Sequence, residues 1–490
     1  MPRLEMFSSR RAVIIAGLGM AVGTGNLWRF PRIAAQNGGA AFLIPWMVFL
    51  VLWSLPLLIG EFGLGRAARK GPVGTFASAI GPRFAWMGGF LAVTTIMIMF
   101  YYSVVTGWTL KYFVASLTTG IPQDSASHWA TYSESVWQPV LFHLAAVAMG
   151  AVIVSRGIVA GIERANRVLI PVLFGLLILA VGRAVTLDGA GRGLRFLFDP
   201  DFSALADYRT WLEALTQSAW STGAGWGLML TYAAYVRRGE NIVLNATAIG
   251  VGNNVASLLA AMAILPTAFA ILSPDQAMEA MAAGNKGLTF VWIPQLFGRV
   301  PFGALFLPLF FLALFCAALS SLIAMIELAT RVLMDKGLSR RLAVRVVGTA
   351  TCVGGLPSAI STSIFDNQDW VWGLALMISG LFVALGVAAF GVERFRNELT
   401  VTTETAKPTR VATVFCYLLV YLVPVQFVAV FGWWVFQAVT VYDPEAWWNP
   451  ARVFSLGTCL LQWGVAIGLL LIFNNRLASA GSNVDEAQAL

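Results

Sequence analysis

Long apolar runs alternate with short polar loops along most of this sequence. Twelve of the runs approach or exceed the roughly 20 apolar residues that a transmembrane helix needs. They cover approximately 11–36, 39–66, 84–118, 139–155, 160–183, 208–236, 241–272, 301–334, 341–357, 368–393, 409–439 and 450–475. The pattern predicts an all-α membrane protein with twelve transmembrane helices, which we call spans 1 to 12 in chain order.

Composition agrees with a chain whose outer face meets lipid. Of the 490 residues 58% are hydrophobic and 11% are charged, and the mean hydropathy is +0.76. A soluble domain has about a quarter of its residues charged. The net charge of +8 does not indicate nucleic acid, because the basic residues lie in short loops between apolar runs. The four cysteines lie inside such runs, which argues against a disulfide framework.

The basic residues also predict the orientation of the spans. Loops after the even-numbered spans 2 to 10 carry most of the loop lysines and arginines, whereas loop 121–138 carries none. Short loops rich in lysine and arginine face the cytoplasm. We therefore expect both termini, residues 1–10 and 476–490, to be cytoplasmic.

Two spans are interrupted by glycine. Span 1 contains the string GLGMAVGTGN at 17–26, and span 6 contains STGAGWG at 221–227. They lie five spans apart, and an odd number of spans inverts the second half of the chain relative to the first. Paired interrupted helices in inverted halves point to the binding site of a transporter. Close helix packing is the alternative use of glycine in a membrane helix.

The strings AVGTGNLWRFP (21–31) and NGGAAFLIP (37–45) begin a series of motifs that covers the whole chain. It continues with YYSVVTGWTL (101–110), RGIVAGIER (156–164), TYAAYVRRGENIVLN (231–245), AALSSLIAMIE (317–327) and FDNQDWVWG (365–373). In these motifs the sequence resembles the neurotransmitter:sodium symporter family, whose bacterial members carry leucine and other amino acids. The resemblance implies a five-plus-five inverted repeat with broken helices 1 and 6. Its parts are the repeats 11–183 and 208–393 and the peripheral spans 11 and 12 at 409–475.

The resemblance implies two sodium sites. The first maps onto the carbonyl oxygen of Ala21 and the side chains of Asn26, Ser221 and Asn253, completed by the carboxylate of the substrate. The second maps onto the carbonyl oxygens of Gly19, Val22 and Ala317 and the hydroxyls of Ser320 and Ser321. Taken alone, paired serines in a membrane helix bond back to carbonyls one turn earlier, and buried asparagines bond between helices. Their common match to the family pattern favours sodium.

One departure from the pattern concerns chloride. Some members carry a glutamate one helical turn after Asn253, where this sequence has Ser257. In chloride-dependent members a serine there helps to bind Cl⁻. The remaining positions of that site map onto Trp46, where the family usually has tyrosine, and Gln217, Ser221 and Asn253. A neutral packing serine is the alternative for Ser257.

The same resemblance places the substrate between spans 1, 3, 6 and 8. The pocket maps onto Ala21, Gly23, Gly25, Ile98, Tyr102, Trp220, Gly223, Trp226, Ser321 and Met325. Gly23 stands where carriers of amines have an aspartate, so the glycine favours a substrate with its own carboxylate. Arg29 and Asp369 match the outer gate, with Tyr102 and Trp220 as a thin lid. Tyr235 and Asp335 match the inner gate. Arg3 lies one residue further from Arg10 than the arginine of that gate, and a positive charge of the cytoplasmic side is the alternative for it.

The function predicted from these residues is Na⁺-coupled uptake of a zwitterionic amino acid by alternating access, with Cl⁻ as a second ion. A taurine-like or GABA-like acid is the alternative cargo. A channel and a transport-inactive sensor are rival functions. Enzymatic activity is not predicted, because the sequence lacks a nucleophile or metal constellation. Loop 121–138 has no glycosylation site or cysteine pair, which favours a bacterial inner membrane. We expect a monomer or homodimer in the bilayer, an amino acid as small-molecule partner, and no nucleic acid.

Overall fold

The structure, a computed structural model, describes residues 5–399 and 410–479 fully and the backbone of residue 400. Its described part is helical, with no β-strand. Fourteen helices build the twelve predicted spans. They are α1 (Arg10–Ala21), α2 (Gly25–Gln36), α3 (Ala40–Ala68), α4 (Pro82–Thr118), α5 (Trp137–Ser155), α6 (Ile158–Val185), α7 (Tyr208–Ser221), α8 (Leu228–Ala233), α9 (Ile242–Ile271), α10 (Gly303–Met334), α11 (Arg340–Ile360), α12 (Thr362–Phe390), α13 (Arg410–Tyr442) and α14 (Leu456–Ile472).

The predicted spans can be compared with these helices by length and apolarity. Within the described residues nine helices are long and apolar enough to cross a membrane, and the bent pair α1 and α2 makes a tenth span. The other two predicted spans coincide with α7 and α8, which are interrupted, and with α14, which has 17 residues. The all-helical membrane fold is as predicted, and a count of twelve is consistent with it.

Two predicted boundaries differ from the structure by six residues. Span 10 begins at Thr362 rather than 368, where the Ser361 side chain accepts a hydrogen bond from the backbone N–H of Ile364. Its first turns are polar because they line a cavity rather than lipid. Span 12 begins at Leu456 rather than 450, after the capping side chain of Ser455. In both cases a serine N-cap marks the start, as is typical of helices.

The break in span 1 bends the helix by 57°. Helix α1 ends at Ala21, and the next residue, Val22, has extended backbone angles of φ −82° and ψ 101°. Helix α2 resumes at Gly25. The negative end of one helix and the positive end of the other therefore meet in the interior of the bundle.

The break in span 6 depends on three glycines with positive φ. Gly223, Gly225 and Gly227 have φ angles of +67°, +87° and +76°. Only glycine adopts such angles without a steric cost. The buried carboxylate of Glu61 in α3 holds the far side of the break, because it accepts the backbone N–H groups of Gly227 at 3.0 Å and Leu230 at 3.1 Å. The first N–H groups of a helix have no acceptor within the helix, and Glu61 supplies one at the start of α8.

Burial separates a central helix from peripheral ones. The most apolar stretch of α10 is 89% buried, whereas those of α6 and α13 are 22% and 28% buried. On the peripheral helices, apolar side chains such as Val168, Ile178, Val425 and Val428 are at least 59% exposed. Such exposure suits a surface that contacts lipid. The interrupted spans 1 and 6 and the central α10 thus enclose the interior in which the candidate site lies.

Candidate substrate and ion site

A cavity of about 230 Å³ lies between the two breaks. Spans 1, 3, 6, 8 and 10 and the loop before span 8 contribute to its wall. The lining residues are Met20, Ala21, Gly23, Thr24, Gly25, Asn26, Trp28, Arg29, Tyr101, Tyr102, Val105, Gln217, Trp220, Ser221, Gly223, Trp226, Asn285, Lys286, Ser321, Met325, Phe365, Asp366 and Asp369.

The predicted substrate residues meet at this cavity with one exception. Nine of the ten line it. Ile98 is fully buried but does not reach the wall; the wall takes its residues from α4 at Tyr101, Tyr102 and Val105. Ile98 lies one helical turn before Tyr102, nearer the start of α4, below the floor of the cavity.

The hydroxyl of Tyr102 is oriented by the broken part of span 1. It accepts the backbone N–H of Thr24 at 3.1 Å, and the hydroxyl of Thr24 lies 3.4 Å away. Its own proton is therefore free to donate into the cavity. A Cβ atom on Gly23 would lie 2.9 Å from this hydroxyl and 3.2 Å from the Ser321 hydroxyl. The glycine keeps the space between the two open.

All charged residues of the cavity wall stand at one end of it, which we call the outer end after the predicted orientation. Lys286 and Asp366 form an ion pair there, with Nζ–O distances of 2.8 and 2.9 Å. The Arg29 guanidinium lies 4.7 Å above the Trp220 ring. Among the residues that the structure describes, Arg29 and Asp369 do not form an ion pair within 4.0 Å. The two predicted gate residues thus both line the mouth, but they do not touch.

The residues of the first predicted sodium site converge beside the cavity. One atom of the Asn253 side-chain amide lies 3.0 Å from the carbonyl oxygen of Ala21, 3.1 Å from that of Ser221 and 2.9 Å from Nδ2 of Asn26. If this atom is nitrogen it donates to both carbonyls; if it is oxygen, three acceptors face one point. Oδ1 of Asn26 accepts the N–H of Gly23 at 2.9 Å. The Asn26 amide must therefore turn before its oxygen can join the set.

The second predicted site is a set of oxygens between α1 and α10. The Ser321 hydroxyl lies 3.4 Å from each of the carbonyl oxygens of Gly19, Met20 and Val22. One hydroxyl proton cannot satisfy three acceptors. The Ser320 hydroxyl donates back to the Ala317 carbonyl at 3.0 Å, as serines in membrane helices do. All five predicted residues therefore contribute to one region.

The predicted chloride residues adjoin the first sodium site. Ser257 accepts a hydrogen bond from Nδ2 of Asn26 at 2.8 Å, so its own proton remains available. Nε1 of Trp46 and Oε1 of Gln217 are buried and have no hydrogen-bond partner within the described parts of the chain. Buried polar atoms without partners are rare and ask for an explanation. Trp46 lies on α3 and Gln217 on α7, and these two helices pack together.

Buried ion pairs lie beyond the opposite, inner end of the cavity, where α10 continues past Met325. Glu327 is fully buried; it accepts the Tyr235 hydroxyl at 2.5 Å and two guanidinium N–H groups of Arg340 at 2.6 and 2.9 Å. Asp335 pairs with Arg331 at 2.8 Å and accepts the Gly71 N–H at 2.6 Å. Arg3 lies outside the described residues.

The N-terminal segment is tied to the same end. Ser8 donates to Glu163 from its backbone N–H at 3.0 Å and from its hydroxyl at 2.5 Å. The carboxylate of Glu5 accepts the N–H groups of Ile158 and Val159 at the start of α6. These contacts hold the segment across the inner mouth of the bundle.

Sequence reasoning missed several of these residues. It assigned no role to Glu327, and it did not single out Arg340, Lys286 or Asp366. A glutamate within an apolar run is a usable signal, since a buried charge needs a partner. The sequence did not indicate which residue the partner is, because the two residues are brought together only by the fold.

The chain is similar to known sodium-dependent transporters. A model of the Sodium:neurotransmitter symporter family matches residues 4–140 and 135–476. An uncharacterized sodium-dependent transporter of Methanocaldococcus jannaschii is 34% identical over 358 residues, 70% of this chain and 72% of the relative. One of Bacillus subtilis is 31% identical over 451 residues, 87% of this chain and 96% of the relative. The crystal structure of MhsT in complex with L-phenylalanine aligns with a TM-score of 0.77 at 29% identity, covering 87% of this chain and 99% of MhsT.

Proposed function

The chain belongs to the Sodium:neurotransmitter symporter family, and on that premise we propose that it imports a neutral, zwitterionic amino acid together with two Na⁺ ions and one Cl⁻ ion. It is a multi-pass integral membrane protein, and sodium-dependent transport is the family's activity. The proposal adds the substrate, the ions, the inward direction, the plasma membrane as location and the cytoplasmic side of both termini. Nine of the ten predicted substrate residues line one cavity, and the predicted ion residues lie in or beside its wall; this is the observation that carries the proposal.

The carboxylate end of the substrate fits the broken part of span 1. Helix α2 starts at Gly25, and the first N–H groups of a helix form a positive end that attracts anions. The Tyr102 hydroxyl accepts the N–H of Thr24 at the same place, so its proton can be donated to the carboxylate. A carboxylate bound here lies beside Ala21 and Asn26, so it completes the first sodium site. This shared position makes binding of the ion and binding of the substrate depend on each other.

The rest of the cavity favours a neutral side chain. Trp220, Trp226, Met20 and Met325 line it, while the four charged residues stand at its outer end. A charged side chain placed among the apolar residues would lose hydration without gaining a partner, which is costly. L-phenylalanine, which is bound in the MhsT structure, is an amino acid of this kind. A GABA-like acid is the competing cargo, since a Drosophila melanogaster relative, 27% identical, is named a sodium- and chloride-dependent GABA transporter.

The second sodium site has suitable spacing between its oxygens. Hard cations of this size take oxygen ligands at about 2.4 Å, so neighbouring ligands of an octahedral set lie about 3.4 Å apart. Ser321 stands 3.4 Å from the carbonyl oxygens of Gly19 and Val22. The acceptors outnumber the protons there, and a cation would balance them.

Chloride would balance the charge of the two sodium ions. Two Na⁺ ions beside a neutral zwitterion leave uncompensated positive charge in a region of low dielectric constant. Within the described parts of the chain, the Ser257 hydroxyl accepts a bond and keeps its own proton, and the Trp46 indole N–H has no partner. With Cl⁻ the cycle moves one net charge, worth about 2.3 kcal/mol per 100 mV.

Two substitutions test the sodium and substrate positions. Ser321→Ala should abolish Na⁺-dependent uptake, because it removes a hydroxyl from the second site. Gly23→Asp should reduce uptake of α-amino acids by about three orders of magnitude, because two negative charges about 4 Å apart repel by about 4 kcal/mol at an effective dielectric constant of 20. Uptake of both variants at the wild-type rate would contradict the assigned positions.

The chloride part has its own experiment. Initial uptake should fall when gluconate replaces chloride, and Ser257→Glu should remove this dependence while sodium dependence persists. Ser257→Ala is the matched control, since it lacks both the hydroxyl and the carboxylate and should stay slow in either anion. Equal wild-type rates in chloride and gluconate would contradict chloride coupling and leave the sodium sites intact.

A further inference from the structure

A buried asparagine of span 5 faces the second predicted sodium site. Asn166 lies in the first turns of α6 and is fully buried. Its Oδ1 atom has no hydrogen-bond partner within residues 5–399 and 410–479. A buried carbonyl oxygen without a donor is costly in a protein interior and needs a reason for its presence.

The orientation of this side chain follows from its other end. Nδ2 of Asn166 donates to the carbonyl oxygen of Ile162 at 3.0 Å, one turn earlier in the same helix. Reversing the amide would place two acceptor oxygens against each other. The Ile162 carbonyl therefore fixes nitrogen at that end, and the oxygen must point away from its own helix.

The oxygen points toward α1 and α10, beside the second predicted sodium site. A Cβ atom built on Gly19 would lie 2.0 Å from Oδ1 of Asn166 and 3.3 Å from Cβ of Ser320. Asn166 thus approaches the backbone of Gly19 from the side at which Ser320 also stands. Both neighbours belong to the oxygen set described above, and any residue larger than glycine at position 19 would block the approach.

We propose that Asn166 is a further member of the second sodium site, and that its carbonyl dipole points its negative end toward the bound Na⁺. This inference rests on the proposed function, because it assumes that the site binds sodium. It adds an element to the site, since the five predicted residues come only from spans 1 and 8. The cation gives the unpartnered oxygen the positive partner that the described residues do not supply.

A packing role is the competing explanation. The Cα–H of Gly19 could donate a weak hydrogen bond to Oδ1. In that case a change of Asn166 would alter the stability of the protein equally with and without sodium. The two explanations therefore differ in one quantity, the Na⁺ concentration at half-saturation.

The test is a titration of the purified full-length protein in detergent with NaCl, at constant ionic strength made up with KCl. The melting temperature is recorded without amino acid substrate, because the first site needs the substrate carboxylate. Asn166→Leu, of nearly equal shape, should raise the Na⁺ concentration at half-saturation roughly tenfold, the low end for groups that support metal ligands. Asn166→Asp should lower it, since a full negative charge replaces the dipole. Ser379→Ala is the matched control, because Ser379 in span 10 is also buried and has no hydrogen-bond partner among the described residues.

The outcomes separate the two proposals. Opposite shifts in Asn166→Leu and Asn166→Asp, with wild-type titration of Ser379→Ala, support the inference. Wild-type half-saturation in both Asn166 variants, with only a uniform change of melting temperature, overturns it and leaves sodium coupling intact. Absence of any Na⁺ effect on the wild type overturns the proposed function as well. If Asn166→Leu does not fold, the lower half-saturation expected of Asn166→Asp decides alone.

Discussion

The two ends of the central cavity are held by charged residues in different ways. At the inner end Glu327 is fully buried, and it contacts Tyr235 and Arg340. At the outer end Lys286 and Asp366 form a pair whose side chains are 28% and 30% exposed. Buried pairs are costly to break, whereas exposed ones contribute little. The contacts at the inner end are therefore more deeply buried than those at the outer end.

This difference indicates the step that needs the binding energy of ions and substrate. In the proposed cycle, closing the outer end brings Arg29 and Asp369, which line the same mouth, together. Opening the inner end separates the Glu327 and Asp335 networks and breaks the Ser8–Glu163 contact. A ligand shifts such an equilibrium only by its differential affinity for the two states. We expect inner opening to be the slower step.

The largest effect should follow from breaking the inner network. Glu327→Gln leaves the charge of Arg340 without its partner, and removal of one member of a buried pair costs about 3–5 kcal/mol. Uptake should be lost and the melting temperature should fall. Adding Arg340→Met should recover part of the stability, because the unpaired charge is gone. Glu393→Gln, at an exposed pair with Arg396, is the control and should remain near wild type. A stable, active Glu327→Gln protein would contradict the comparison.

A smaller effect is expected at the N-terminal contact. Ser8→Ala removes one hydrogen bond to the buried carboxylate of Glu163, and bonds to charged groups contribute about 1.5–3 kcal/mol. Local opening should become at least tenfold more frequent, which hydrogen–deuterium exchange of residues 158–163 will measure. Ser127→Ala, an exposed serine of the outer loop, should leave that exchange unchanged. Equal exchange in wild type and Ser8→Ala would show that the segment does not fasten the inner end.

The outer pair should matter less and respond to salt. Lys286→Met or Asp366→Asn should change substrate half-saturation by less than about fivefold, since a partly exposed pair contributes about 1 kcal/mol at most. In the wild type, added choline gluconate at fixed Na⁺ and Cl⁻ should screen the pair and so reduce its contribution to substrate half-saturation. Loss of uptake as complete as that of Glu327→Gln would reverse the order of the two ends.

The smallest effect concerns the pH. Burial and the nearby charge of Lys111 lower the pKa of His128, which lies in the loop helix Ser125–Glu134. The unfolded chain therefore binds a proton more readily, so stability is lost as the pH falls through about 6.5 toward the lower folded value. The melting temperature should decrease slightly between pH 7.5 and 5.5 in the wild type and less in His128→Gln. An identical decrease in both would show that His128 does not contribute to the pH dependence of stability.

The sequence predicted the parts of this picture that depend on one segment at a time. Apolar length indicated the spans, and glycine runs indicated the breaks because positive φ angles at Gly223, Gly225 and Gly227 need glycine. Contacts between distant segments were not predictable in this way. Lys286 meets Asp366 across 80 positions of the chain, and Asn166 meets Gly19 across even more. Ile98 does not line the cavity for a related reason, since a family position does not tell how far a cavity reaches along a helix.

Sodium-coupled import is most directly tested by initial uptake of radiolabelled neutral amino acids into proteoliposomes. An inward Na⁺ gradient is compared with an equal choline gradient, and the membrane potential is held constant with K⁺ and valinomycin. We expect concentrative uptake with Na⁺, none with choline, and none with either cation in Ser321→Ala. Equal uptake with choline and with Na⁺ in the wild type would contradict sodium-coupled import.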